Sequence, residues 1–261
     1  RSNGLDAEPF LQAVHRVAAW YWWDPERHRV GRQDLRGTTA WIVGEALRSL
    51  GREDDALARA IAHAYRDRRD ALVRPFPGAV DALATLKARG LLLALVTNGA
   101  ASAQRAKIER FDLARYFDFI LVEGEFGAGK PEERVYRAAM EALGSSPDET
   151  WMVGDNLEWE VAVPQRLGLT TVWVDHARRG LPPNPPARPH HVVHALADLP
   201  GLVPSRSAAS IMCLATRSLT LPPGLRNSAL ANTLPEDILV RRMSGVLPMA
   251  SSTESISIRN S

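Results

Sequence analysis

The spacing of hydrophobic positions changes once along the chain, near residue 75. Upstream of it, apolar residues recur at helical intervals. Phe10, Val14, Val17 and Tyr21 fall on one face of a helix predicted from about Asp6 to Trp23, and Asp24-Pro25 ends it. Val43, Leu47 and Leu50 mark a second helix over Thr38 to Leu50, stopped by Gly51. Leu57, Ile61 and Ala64 mark a third from Asp54 to about Leu72. The run Arg66-Asp-Arg-Arg-Asp70 at its end reads as a solvated face. Trp20, Tyr21, Trp22 and Trp23 read as packing of a small helical domain.

Arg74-Pro-Phe-Pro-Gly78 breaks this pattern and acts as a hinge. Beyond it, short runs that are apolar on both faces alternate with amphipathic segments. Strands are predicted at Leu91 to Val96, Phe117 to Val122, Trp151 to Val153 and Thr170 to Val174. Helices are predicted at Gly78 to Arg89, Ala101 to Arg110, Pro131 to Leu143 and Leu157 to Leu167. A short strand and helix at His190 to Leu199 close the series. Strands without a polar face, separated by helices, require a parallel sheet covered on both sides. The fold class is therefore α/β, a Rossmann-like parallel sheet with helices on both faces plus a small all-helical cap domain. The domains are 1–74 (cap), 75–203 (α/β core) and 204–261, a serine-rich stretch of poor periodicity expected to be poorly ordered or foreign. Within that stretch Ile211 to Leu214 and Ile238 to Val240 are candidate short strands.

Composition changes this picture little. Formal net charge is +2 over 261 residues, with no basic block, so nucleic acid and anionic membranes are not expected partners. No apolar run approaches the roughly 20 residues of a membrane span, and no signal segment opens the chain. A single cysteine, Cys213, excludes an intrachain disulfide framework and fits a reducing, cytoplasmic setting. His190, His191 and His194 lie close in sequence, but without a second ligand cluster they read as a polar strand end.

In open parallel sheets, ligands bind beyond the carboxyl ends of the strands. Those ends carry Thr97, Asn98 and Asp155, and the next loop carries Lys130. Lysine is rare here, with three in the whole chain, and a compact ammonium suits a point contact with phosphate. Thr97 can donate to an anion facing a helix N-terminus, Asn98 can orient reacting groups, and Asp155 is a hard oxygen ligand of the kind Mg²⁺ takes. By themselves Thr97-Asn98 and Gly154-Asp155 also serve as ordinary helix caps and turns.

Taken in order, Leu95-Val-Thr-Asn-Gly99, Gly129-Lys-Pro131 and Val153-Gly-Asp-Asn156 resemble motifs two, three and four of the haloacid dehalogenase superfamily, over about residues 5 to 203. The resemblance implies a magnesium-dependent phosphatase with a helical cap, acting on a small phosphorylated metabolite through an aspartyl-phosphate. It implies catalytic roles for Thr97, Asn98 and Lys130 and metal contact for Asp155. Glu160 stands where the family more usually has aspartate, so it is expected to hold a metal-bound water, while Glu158 faces solvent. The alternatives are hydrolysis of a carbon-halogen bond in a small haloacid, or a non-catalytic remnant of the fold. The family's first motif, Asp-x-Asp-x-Thr, is not matched in this chain. The expectation is thus of a sheet lacking its central first strand, and of a chain truncated and inactive as given.

Overall fold

The computed structural model describes residues 6–203, 210–213 and 219–220. Four helices open it: α1 (Ala7–Trp23), α2 (Pro25–Gly31), α3 (Leu35–Ser49) and α4 (Asp55–Leu72). Each starts on an aspartate. The side chains of Asp6, Asp24, Asp34 and Asp54 accept from the backbone N–H groups of Glu8, Arg27, Gly37 and Leu57, donors that a first helical turn leaves open. The apolar stripes then close on one another, with Phe10, Val14 and Trp22 packed against Ile42, Val43, Leu47 and Ala58. α2 has too few residues to show a period, although Asp24-Pro25, read above only as a stop, is also a cap followed by a first-turn proline.

Two expectations about the cap need correction. Trp22 is buried, but Trp20 and Trp23 are 54% and 50% exposed, so only part of the aromatic cluster packs the domain. Arg66, placed above on a solvated face, is buried beside Asp70 at 3.7 Å, since a long side chain can lay its stem on an apolar surface.

After the hinge strand β1 (Arg74–Pro75), helices and strands alternate: α5 (Ala79–Ala88), β2 (Leu92–Thr97), α6 (Ala101–Arg110), β3 (Phe119–Val122), α7 (Glu123–Phe126), α8 (Glu133–Leu143), β4 (Thr150–Gly154), α9 (Val163–Arg166), β5 (Thr170–Val174), β6 (His191–Val193) and α10 (Leu199–Leu202). The helix expected over Leu157 to Leu167 is divided. Leu157–Ala162 winds as a π-helix and α9 follows, because Pro164 has no N–H to offer the preceding turn. The Tyr136 hydroxyl donates to the Trp159 carbonyl at 2.6 Å, satisfying one acceptor of that irregular turn.

The main sheet has the order β3-β2-β7-β4-β5-β6 with every pair parallel, and β7 is Ser210–Cys213. Side chains of β2 alternate between its two faces. Leu93 joins Val153, Val172, Leu83 and Leu86 on one side, while Ala94 and Val96 join Met152, Val135, Tyr136 and Met140 on the other. The continuous apolar pattern of the strands follows from this double covering.

β7 changes the expectation of an empty centre. It lies between β2 and β4, in register with Leu92 to Leu95 on one side and Thr150 to Val153 on the other. A stretch expected to be poorly ordered therefore supplies the middle strand. Further along, β8 (Leu219–Thr220) pairs antiparallel with the hinge strand β1. The candidate strand at Ile238 to Val240 lies outside the described residues. Among the described residues no helix is long and apolar enough to cross a membrane.

Candidate active site

Parallel strands deliver their carboxyl ends to one rim. Leu95, Cys213 and Val153 share a row across β2, β7 and β4. Thr97 and Asp155 each stand two residues beyond that row, so their Cα atoms are two strand spacings apart, roughly 10 Å.

Thr97 ends β2 with 2% exposure, and its hydroxyl has no hydrogen-bond partner among the described residues. Buried hydroxyls are seldom left so, and this one is open to a further hydrogen-bond partner, whether water, an ion or a ligand atom. Asn98 turns the other way and clamps the motif-three loop. Its amide nitrogen donates to the Lys130 carbonyl at 2.7 Å, and its amide oxygen accepts from the Lys130 N–H at 2.8 Å. Asn98 was expected to orient reacting groups, whereas in the structure both ends of its amide bond the Lys130 backbone.

Lys130 is 1% exposed. Its ammonium donates to the Val96 carbonyl at 3.0 Å and pairs with Glu160 at 3.2 Å. Glu160 is equally buried, and its second oxygen accepts from the Asn156 N–H at 2.7 Å. Burial pushes the Glu160 carboxyl up to about 7, with Asp155 acting in the same direction and Lys130 against it. Glu160 is therefore the counter-ion of Lys130, a contact that sequence reasoning did not foresee. Asp155 is half-buried at the mouth of the rim, and Glu158 is exposed as expected. Burial and the Glu160 charge keep the Tyr136 phenol protonated.

The strand-end rule also picks out a residue passed over above. Glu123 follows directly on β3, just as Asp155 follows β4. It is 5% exposed, accepts from the Gly99 N–H at 2.7 Å, and holds Arg32 of the cap. The histidines are spent elsewhere. His190 Nδ1 accepts from the Thr171 N–H, His191 stacks on Trp151, and His194 Nδ1 contacts the Asp175 carbonyl. Among the described residues no group of three or more metal-ligating side chains is assembled.

A parallel α/β sheet with a charged carboxyl-end rim beneath a helical cap defines a capped hydrolase architecture. The chain belongs to the haloacid dehalogenase-like hydrolase family, whose model matches residues 4–168. It is 39% identical over 186 residues to phosphoserine phosphatase of Thermus thermophilus, which is 68% of this chain and 71% of that protein. It is 32% identical to glyceraldehyde 3-phosphate phosphatase of Methanocaldococcus jannaschii, over 47% of this chain and 54% of the relative. The chain thus spans about half the length of the second of these. Among solved structures, a dehalogenase in an intermediate complex superposes with a TM-score of 0.55 at 27% identity, covering 77% of this chain and 85% of that one. The magnesium-bound HAD-hydrolase YfnB of Bacillus subtilis shares the fold, with a TM-score of 0.58 at 20% identity over 76% of this chain and 85% of that one.

Proposed function

We propose that the rim receives the phosphoryl group of a small phosphorylated metabolite, in the manner of a magnesium-dependent phosphatase. The observation that carries this is the buried hydroxyl of Thr97 at the end of β2, which has no hydrogen-bond partner among the described residues. A phosphoryl group in transfer spreads charge over three equatorial oxygens, so a site for it needs positioned donors and a cation. Thr97 supplies a donor, and Lys130 supplies a fixed positive charge held at its place by Glu160, Asn98 and Val96. The relatives named as phosphatases support the same reading.

The donor set also fits Mg²⁺. That ion takes one or two protein carboxylates and retains several waters. Asp155 would hold it directly. Glu160, although each of its oxygens already has a partner, keeps lone pairs for a metal-bound water. When bound, the cation would neutralise charge on the phosphoryl oxygens.

The phosphoryl acceptor that the family resemblance implies is an aspartate of an Asp-x-Asp-x-Thr motif, and that motif does not occur in residues 1–261. Removing a nucleophile from another enzyme lowers kcat by about 10⁶. The chain as given is accordingly expected to bind phosphate and to hydrolyse esters at no measurable rate. The dehalogenase alternative is the weaker, since Asp155 after Gly154 favours metal chemistry. Isothermal titration of inorganic phosphate in the presence of Mg²⁺ tests the proposal. Binding should be seen, and Thr97→Val should weaken it about tenfold to a hundredfold, the worth of one hydrogen bond to a charged group. Equal binding by both proteins, or binding by neither, would sink the reading.

A further inference from the structure

Gly99 follows Thr97-Asn98 and is gripped from two sides. Its N–H donates to Glu123 Oε2 at 2.7 Å, and its carbonyl accepts from the Gly124 N–H at 3.1 Å. The approach is close. A side chain at Gly124 would put its Cβ 2.5 Å from the Ala101 amide nitrogen, and Gly99 itself adopts φ +117°, which favours glycine.

The other end of Glu123 belongs to the cap. Arg32, just after α2, presents Nε at 3.0 and 2.8 Å and Nη2 at 2.5 Å to the Glu123 carboxylate. Both side chains are nearly excluded from water, at 11% and 6% exposure. Behind Arg32 stands His28, whose Nδ1 lies 3.1 Å from Arg32 Nη1 and whose ring meets the edges of Trp22 and Trp159. Trp159 sits on the π-helix directly after Asp155. A two-pronged guanidinium-carboxylate contact of this kind is strong and directional. It spans 91 positions of sequence and joins the cap to the loop that carries the rim.

We propose that Arg32 and Glu123 are positioning residues that couple the seating of the cap to the shape of the Thr97-Asn98-Gly99 rim. With the cap seated, Arg32 fixes the carboxylate rotamer that holds the Gly99 N–H. With the cap displaced, Glu123 loses the cation beside it, and the rim loop loses its fixed acceptor. A phosphorylated ligand under the cap would therefore meet an ordered rim only once the cap has seated. This functional consequence rests on the phosphatase reading, whereas the coupling itself does not.

Amide hydrogen exchange on the whole chain separates the two. Arg32→Ala is expected to speed exchange about tenfold or more at Gly99 and the following amides to Ala103, together with residues 25–33, while the β5 amides at 170–174 stay as slow as before. Arg32→Lys keeps the charge but not the two-pronged contact, should give a smaller change of the same pattern, and serves if the alanine variant does not fold. Glu123→Gln weakens the same contact from the other side and should loosen residues 25–33 and Gly99 together, because a neutral amide no longer has its rotamer fixed by the guanidinium. Faster exchange in residues 25–33 alone for both Arg32 variants would overturn the coupling and leave a simple cap fastening. Failure of wild-type protein to bind phosphate would count against the proposed function without touching this result.

Discussion

The buried pair of Lys130 and Glu160 permits the most demanding test. Their side chains are 1% and 2% exposed and 3.2 Å apart. Breaking such a pair by removing one partner strands a charge away from water, at a cost of about 3–5 kcal/mol. Lys130→Met takes the ammonium from the Glu160 carboxylate, which keeps the Asn156 N–H, and Glu160→Gln takes the carboxylate from the Lys130 ammonium, which keeps the Val96 carbonyl. For a folded part of this size, each should lower Tm by roughly 6–20 °C, taking about 2–4 °C per kcal/mol. The double variant strands no charge, and its glutamine oxygen still accepts from Asn156. Replacing both partners of a buried ion pair by uncharged groups of similar volume is often close to neutral, because the desolvation of the two charges offsets their attraction. The double variant should then lie within about 2 kcal/mol of wild type, giving a coupling energy of several kcal/mol in urea unfolding. Losses that simply add, or single variants that cost under about 1 kcal/mol, would refute the reasoning.

Further outcomes follow from other contacts. Thr97→Val removes a hydroxyl that bonds nothing among the described residues, so its Tm should match or slightly exceed wild type even as phosphate binding falls. Burial raises the Asp118 carboxyl, but the Lys87 ammonium and the Leu93 N–H outweigh it and hold it below its ordinary value. Its folded pKa being depressed, the stability it contributes is present above the ordinary carboxylate range and is lost as pH falls through the folded value. Asp118→Asn should therefore cost about 1–2 kcal/mol at pH 7, and the difference should vanish in acid-titrated thermal melts. Gly124→Ala should destabilise by about 1–3 kcal/mol in urea unfolding, because its Cβ would meet backbone at 2.5 Å, and Gly90→Ala, with open space around it, should be limited to the strain of its φ of +82°.

Most of the core was legible because each strand is covered on both faces and each helix on one. Thr170 to Val174 was placed to the residue and the other strands predicted among the described residues within two positions, while the two-residue strands β1 and β8 were not predicted. Periodicity gave no account of α2, whose helical run is too short, nor of the π-turn, where the signal was Pro164 rather than a hydrophobic interval. At the rim, Thr97, Asn98 and Asp155 were picked out as residue types at strand ends, Lys130 on the next loop, and Glu160 by its place in the family's fourth motif. What they touch was not legible. That Asn98 holds the Lys130 backbone and Glu160 the Lys130 ammonium depends on contacts 32 and 30 positions apart in sequence, the second number being 160 minus 130. Arg32 and Glu123 were missed for the same reason, since neither belongs to a motif and only the folded cap brings them together.

The centre of the sheet separates two roles that one strand usually combines. Ser210-Ile-Met-Cys213 falls one residue before the candidate strand at Ile211 to Leu214, but nothing in its four residues placed it at the centre, where both neighbours present backbone ladders to it. Strand formation in such a slot is set by the pairing on either side more than by the segment's own preference. Its partners are β2 and β4, the strands that end on Thr97 and at Gly154-Asp155, so filling the slot fixes the spacing of the rim. The chemistry is another matter. Leu214-Ala-Thr-Arg-Ser218, which follows in sequence, holds no carboxylate to accept a phosphoryl group. On the proposed reading, a strand at this position spaces the rim for phosphate while the segment that follows it supplies no carboxylate for turnover. Phosphate affinity and phosphatase activity should accordingly be independent observables in this chain.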